Sequence, residues 1–224
     1  MGLIDYQAAL ELQGALVTAR MHERIGDTLL LLEHPPVYTL GRGADASFIL
    51  DPPADVPIHR VSRGGQVTYH GPGQLVGYPI LKLEGAARDV IRYLRKLEQV
   101  IVAALAAVDI AAQQREGLTG VWVGDEKIAS IGVGIRRWTT LHGFAINVAS
   151  DLRCFERIVP CGILGCRMTS LSKLGQAQIT VMEFAGIIER AFAGVFNYHA
   201  TMAVAPRAIW NTLAATTTGA AVQG

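Results

Sequence analysis

The stretch that decides the fold runs from Gly120 to Val148, GVWVGDEKIASIGVGIRRWTTLHGFAINV. β-Branched and aromatic residues fill three runs within it, Gly120 to Val123, Lys127 to Arg136 and Thr140 to Val148, which read as three strands. Gly124-Asp125-Glu126 is a turn that folds the first two into a hairpin. Strands joined this way pair antiparallel, so the sheet is expected to be largely antiparallel or mixed.

Outward from this core the period changes from two to 3.6. Arg88 to Val108 sets Val90, Ile91, Leu94, Leu97, Ile101 and Leu105 along one side of a helix, and Val181 to Val195 is a second amphipathic helix. Tyr6 to Arg24 carries Ala, Leu and Val at helical spacing. Thr28 to Glu33 (TLLLLE) suits a buried strand closed by Pro35-Pro36, with Val37 to Leu40 continuing in the sheet. Three prolines make Asp51 to Pro57 a surface loop, and Leu152 to Ile158 suits one or two helical turns before Pro160-Cys161-Gly162 opens a loop. Helices bracketing hairpin-connected strands define an α+β fold, a mixed or antiparallel sheet with flanking helices, in one domain over residues 1–212. The segment 213–224, LAATTTGAAVQG, consists mostly of small residues and reads as a flexible tail.

Composition narrows the function. Twenty basic against nineteen acidic residues, a net charge of +1, give no global reason to bind nucleic acid. The most apolar stretch, Val100 to Ala112, is broken by Asp109 and is shorter than the ~20 residues a membrane span needs. MGLIDYQ lacks the features of a secretory signal, and Tyr6 stands where a myristoylation motif wants Ser or Thr, so the chain is expected in the cytoplasm with no membrane partner. Three cysteines there point to free thiols rather than a disulfide scaffold.

The most unusual segment is Arg63 to Tyr78, RGGQVTYHGPGQLVGY, read as a β-hairpin or glycine-bent strand pair followed by a strand through Leu83. Its five glycines are ordinary turn formers taken alone, but Arg63, Thr68, His70 and Gln74 sit among backbone that can approach a ligand closely. The spacing is neither GxGxxG nor a Walker loop. Cys154, Cys161 and Cys166 contain no CxxC pair, which leaves a zinc site little support, and a buried inert thiol is the usual role of such residues. Cys161, between Pro160 and Gly162, sits where a loop can present a thiol, yet the residues alone do not rank it decisively above the other two. Lys127 suits a solvated strand end, and His142 a hydrogen-bonded core position, as well as any chemistry.

Together, Arg63–Val76 (RGGQVTYHGPGQLV), Leu118–Gly134 (LTGVWVGDEKIASIGVG), His142–Val148 (HGFAINV) and Pro160-Cys161-Gly162 resemble the lipoyl(octanoyl) transferase family, the octanoyl-[acyl-carrier-protein]:protein N-octanoyltransferases, in order over roughly residues 30–174. The resemblance implies a fold related to the catalytic domains of lipoate and biotin protein ligases. It implies a dyad, thirty-four residues apart, of Cys161 as acyl-thioester nucleophile and Lys127 as its activator. Substrate contacts would come from Arg63, Gly64, Gly65, Gln66, Val67, Thr68, Tyr69 and His70, from Ser130, Ile131 and Gly132, and from Gly143, Phe144 and Ala145. The implied donor is octanoyl-acyl carrier protein; the implied acceptors are lipoyl domains of oxo-acid dehydrogenase complexes and the glycine cleavage system carrier protein. No cofactor and no metal would be needed, and Cys166 is left without a role.

Elementary energetics accept these roles. A free thiol with pKa near 8.5 is only ~3% thiolate at pH 7. One ammonium at ~4 Å supplies on the order of 4 kcal/mol at an effective dielectric of 20, enough to activate it. Burying about seven methylene or methyl groups of an acyl chain contributes roughly 5–6 kcal/mol of grip. Backbone amides near Cys161 or in the glycine string are the expected oxyanion hole. For an acidic carrier protein, Arg63, Arg136, Arg137, Arg153 and Arg157 are candidates for a basic landing patch. The competing readings are an ATP-dependent lipoate- or biotin-type ligase, which needs no nucleophilic cysteine, and an inactive module that binds an acyl chain or a lipoyl domain; a papain-like hydrolase lacks its sequence context.

Overall fold

The computed structural model describes residues 2–204, so the tail expected at 213–224 lies outside the described residues. In chain order the elements are α1 (Tyr6–Met21), β1 (Thr28–Leu32), β2 (Val37–Leu40), β3 (Ile58–Arg60), β4 (Val67–His70), β5 (Gln74–Ile80), α2 (Val90–Ala106), β6 (Gln113–Arg115), β7 (Leu118–Val123), β8 (Glu126–Arg136), β9 (Thr139–Asn147), β10 (Arg167–Met168) and α3 (Val181–Phe196). Each helix begins where a side chain can take an orphan amide: Asp5 accepts from Ala8, Asp89 from Arg92, and Thr180 with Glu183 forms a capping box. Among the described residues no helix is long and apolar enough to cross a membrane.

A large sheet in the order β1-β5-β9-β8-β7-β6 is antiparallel throughout that path, and short β10 adds parallel to β8. Side chains alternate across it as the pleat requires. Leu30, Leu32, Val76, Tyr78 and Ala145 face α1, where they meet Ala9, Leu12 and Leu16. Leu75, Phe144 and Ile146 face the other way, into the core built by α2 and α3. The sheet is thus buried on both sides, and the α+β architecture read from the sequence holds.

Two expectations about the strands need correction. Val37–Leu40 does not continue in the main sheet: after the prolines the chain enters a second, three-stranded sheet in the order β3-β2-β4. Likewise β4 and β5 are not a hairpin with each other, because β4 pairs with β2 while β5 lies between β1 and β9. The GPG turn carries the chain from one sheet to the other, and the functional cavity opens between them.

In α2, Val90 and Ile91 are exposed, and Tyr93, Leu97, Val100, Ile101, Ala104 and Leu105 form the buried face. Ile91 stands two residues, about 200° of helical rotation, from Tyr93, so burying one exposes the other.

Gly73 is where the sheet-to-sheet crossing is tightest. Its φ is +82°, its carbonyl accepts from Val148 and Ala149, and its amide donates to Glu33 Oε2 at 2.8 Å. A Cβ there would meet the Ala149 carbonyl carbon at 2.6 Å. Gly73→Ala is expected to cost about 2–4 kcal/mol in urea unfolding, combining left-handed strain with overpacking.

Candidate active site

The pairing of β7 with β8 contains an irregularity: Trp122 stands opposite Lys127, but Val121 stands opposite Ala129, so β8 holds one extra residue. In a regular strand, residues three apart point to opposite faces. The bulge turns Lys127 and Ser130 to the same side. There Lys127 Nζ donates to Cys161 Sγ at 3.1 Å, and Ser130 Oγ lies 3.7 Å from the same sulfur. Lys127 is no solvated strand end. It is fully buried, donates to the Thr119 carbonyl at 3.0 Å, and lies 4.7 Å from the centre of the Trp122 ring.

Cys161 reaches this lysine from a short kinked turn, Pro160–Gly162, whose central residue is not helical. Its backbone is left-handed, φ 57° and ψ 13°, a conformation that costs an L-residue roughly 1–2 kcal/mol. The turn is held by Gly162 N–H donating to Val159 O and Ile163 N–H donating to Pro160 O, each at 3.0 Å. A few residues on, β10 pairs with β8 directly at Glu126 and Lys127, and Thr169 N–H donates to the Lys127 carbonyl. The loop carrying the thiol is therefore clipped to the strand carrying the ammonium. The amides of Gly64, Gly162 and Ile163 are already taken by carbonyls, which removes three of the expected oxyanion donors.

Beside the sulfur opens a cavity of about 240 Å³, bounded by the crossing segment, the middle of β8 and β9, and α1. This lies below the roughly 300–1,000 Å³ of pockets for drug-sized ligands and suits one narrow chain. Its polar wall is mostly uncharged. His70 is pushed down to about 3 by burial and by neighbouring His34, and His142 to about 4 by burial and the Arg63 charge. Tyr6 is pushed up to about 12, chiefly by burial. Two hydrogen-bond chains fix the tautomers. Asn147 Nδ2 donates to the Thr169 carbonyl, so its oxygen accepts from Gln74, whose own oxygen takes the His70 Nδ1 proton. His34 Nδ1 donates to the Ile4 carbonyl, leaving Nε2 to accept from the Tyr78 hydroxyl at 2.7 Å. The exception is Arg63, a buried guanidinium held by the Thr39 carbonyl and hydroxyl at 2.7 and 2.8 Å and by the Gly64 carbonyl.

Arg63, Gly65, Gln66, Val67, Thr68, His70, Ser130, Ile131, Gly132, Gly143, Phe144, Ala145 and Cys161 all border this cavity. Gly64 and Tyr69 do not: Gly64 bonds to Val133 and Arg63, and Tyr69 packs against Tyr38 and Phe155. Burial also removes Arg63 from any landing patch, while Arg153 and Arg157 are paired with Asp151 and Asp51. Cys154 and Cys166 pack against the apolar cluster around Tyr38 and Phe155, and burial pushes the Cys166 thiol up. Sequence reasoning missed Tyr6, Tyr78, Gly117, Leu118, Thr119 and Ile163 on the cavity wall, and His142, which suited a core position, lines it as well. Tyr78 closes the glycine-rich string, which was a usable signal; Tyr6 sits in a helix far upstream and gave none.

The lipoyl protein ligase A/B catalytic domain matches residues 5–193. Solved structures of lipoate-protein ligase A bound with ATP (TM-score 0.72, 14% identity, 96% of this chain and 92% of that one) and of a bipartite lipoate protein ligase with its E2 lipoyl domain from Thermoplasma acidophilum (TM-score 0.71, 16% identity, 97% and 91%) share the fold. The family match over most of the chain makes this a lipoyl protein ligase A/B catalytic domain. Octanoyltransferases from Gloeobacter violaceus (50% identity, 88% of each chain) and Geobacter sulfurreducens (50% identity, 87% of this chain and 82% of that one) are similar along most of their length. The chain belongs to the octanoyltransferase family and is an acyltransferase.

The neutral histidines make stability pH-dependent with a definite sign. In the unfolded chain each binds a proton near pH 6.5, whereas folded His142 binds one only near pH 4 and His70 near pH 3. Protons taken up only on unfolding favour the unfolded state as pH falls. Stability is therefore full above pH 6.5 and declines below it, and His142→Gln should flatten the slope of unfolding free energy between pH 6 and 4 by about 1.4 kcal/mol per pH unit.

Proposed function

We propose that this enzyme moves an octanoyl group from octanoyl-acyl carrier protein to a lysine of a lipoyl domain through a thioester on Cys161, in the cytoplasm. The observation that carries the reading is the 3.1 Å contact between a fully buried lysine ammonium and a thiol at the edge of a narrow cavity. The ammonium favours the thiolate, and the cavity takes the acyl chain. Three free cysteines are in keeping with a reducing compartment. Oxo-acid dehydrogenase lipoyl domains and the glycine cleavage carrier protein are the acceptor class.

The dyad's own proton balance closes. The Cys161 thiolate attacks the donor carbonyl carbon, the carrier's sulfur leaves with the bond's electron pair, and Lys127 gives it a proton. This leaves acyl-Cys161 beside a neutral amine. The acceptor lysine, its ammonium proton first given to solvent, then attacks the new thioester as the neutral amine; Lys127 takes the second proton from the attacking nitrogen, and expulsion of Cys161 restores the ion pair. Neither step needs a nucleotide, because the donor is already an activated thioester and the product amide is the more stable bond.

The test uses a lipoyl-domain acceptor with either octanoyl-acyl carrier protein alone or octanoate plus MgATP. Octanoylated acceptor is expected only with the thioester donor, and product only from octanoate and MgATP would assign the chain to the ligases. After donor loading, peptide mapping should find a hydroxylamine-labile adduct on Cys161. Cys161→Ser should lose transfer, while Cys154→Ser and Cys166→Ser keep most of it. Lys127→Ala should lower the rate by about 10²–10⁴-fold at neutral pH and less under alkaline conditions, as expected for removing a proton-transfer group.

A further inference from the structure

Glu98 is a fully buried carboxylate in the middle of α2, away from the cavity wall. A buried acid is costly unless its oxygens are satisfied. Its outer oxygen accepts from Arg95 Nη1 at 2.6 Å, and its inner oxygen accepts the Gly120 N–H at 3.0 Å. That N–H and the Thr119 carbonyl are the two ends of one peptide unit, which in the trans form point in opposite directions. The carbonyl end accepts from Lys127 Nζ at 3.0 Å. Gly120 has φ +131°, and a Cβ on it would lie 2.6 Å from Lys127 Cε and 2.6 Å from the Ala129 carbonyl oxygen, so this peptide plane is pressed against the lysine stem.

We propose that Glu98 is a positioning residue for Lys127: by holding the Gly120 N–H it fixes the tilt of the 119–120 peptide, and so aims the Thr119 carbonyl that holds the ammonium against Cys161. The inference rests on the Lys127–Cys161 reading above. Rotation of the peptide would break both of its hydrogen bonds together, so losing the carboxylate frees the ammonium to move off the sulfur. A carboxylate on the N–H also polarises the peptide and strengthens its carbonyl as an acceptor.

The experiment measures iodoacetamide labelling of the Cys161 peptide at pH 7 by mass spectrometry in the full chain, together with kcat and KM for octanoyl-acyl carrier protein and the melting temperature. Glu98→Met, similar in length but unable to accept strongly, should slow labelling and lower kcat by about 10- to 100-fold, the scale of an ångström-sized misplacement, with KM little changed. Glu98→Gln keeps an acceptor oxygen and should restore most of both. Glu98→Asp keeps the charge but withdraws it from Gly120, and should fall between them. Adding Glu98→Met to Lys127→Ala should slow labelling no further, because the two act as a unit. Wild-type labelling in Glu98→Met and Glu98→Asp, with Lys127→Ala still slow, overturns the role of Glu98 alone. Wild-type labelling in Lys127→Ala overturns the dyad reading itself. Glu98→Gln as slow as Glu98→Met also overturns the positioning role; should Glu98→Met fail to fold, Glu98→Asp decides.

Discussion

The site depends on one constraint: the Lys127 ammonium has no exposure to water. Removing such a cation from solvent costs several kcal/mol unless hydrogen bonds and an opposite charge replace the water. Three groups surround it, the Thr119 carbonyl, the Cys161 sulfur and the face of Trp122. Three local devices bring the lysine, the sulfur and the carbonyl together. The β8 bulge turns the lysine inward, the strained turn at Cys161 offers the sulfur, and the 119–120 peptide presents its carbonyl. The ammonium is what makes these three devices a single apparatus.

The cavity beside it follows from a change of sheet. Because the GPG turn sends β4 to the small sheet and β5 to the large one, Arg63, Thr68 and His70 come to face Ser130, Gly132 and Ala145 across a narrow gap. A hairpin would have paired those strands and closed the space. The wall holds many polar atoms but little charge, since burial keeps His70 and His142 neutral. Hydrogen-bond chains ending on backbone carbonyls fix which nitrogen of His34 and of His70 carries the proton.

The fold is shared with lipoate protein ligases at 14–16% identity, so it does not set the chemistry. The proposed mechanism rests instead on the contact between thiol and ammonium. Cys154 and Cys166 show the contrast. They lie within thirteen residues of sequence but pack against the apolar cluster around Tyr38 and Phe155, and neither touches the Lys127 ammonium.

The sequence by itself determined the α+β class, the β7–β8 hairpin, the three long helices and, through resemblance, the Cys161–Lys127 pair. These are local or pattern properties: periodicity reports which face of an element is apolar, and turn chemistry reports where the chain reverses. It could not reveal that Val37–Leu40 leaves the main sheet, that β4 and β5 part company, or that Ile91 faces solvent, because an apolar strand or helix face does not name its partner. Tyr6 joins a cavity wall built more than fifty residues downstream, and Glu98 reaches a peptide twenty-two residues away. Such roles exist only after the chain has packed, since they depend on where distant backbone groups point. Only the tertiary structure decided that a lysine suited to a solvated strand end is instead fully buried against a thiol, because a bulge, a sheet crossing and a clipped loop had to converge on it.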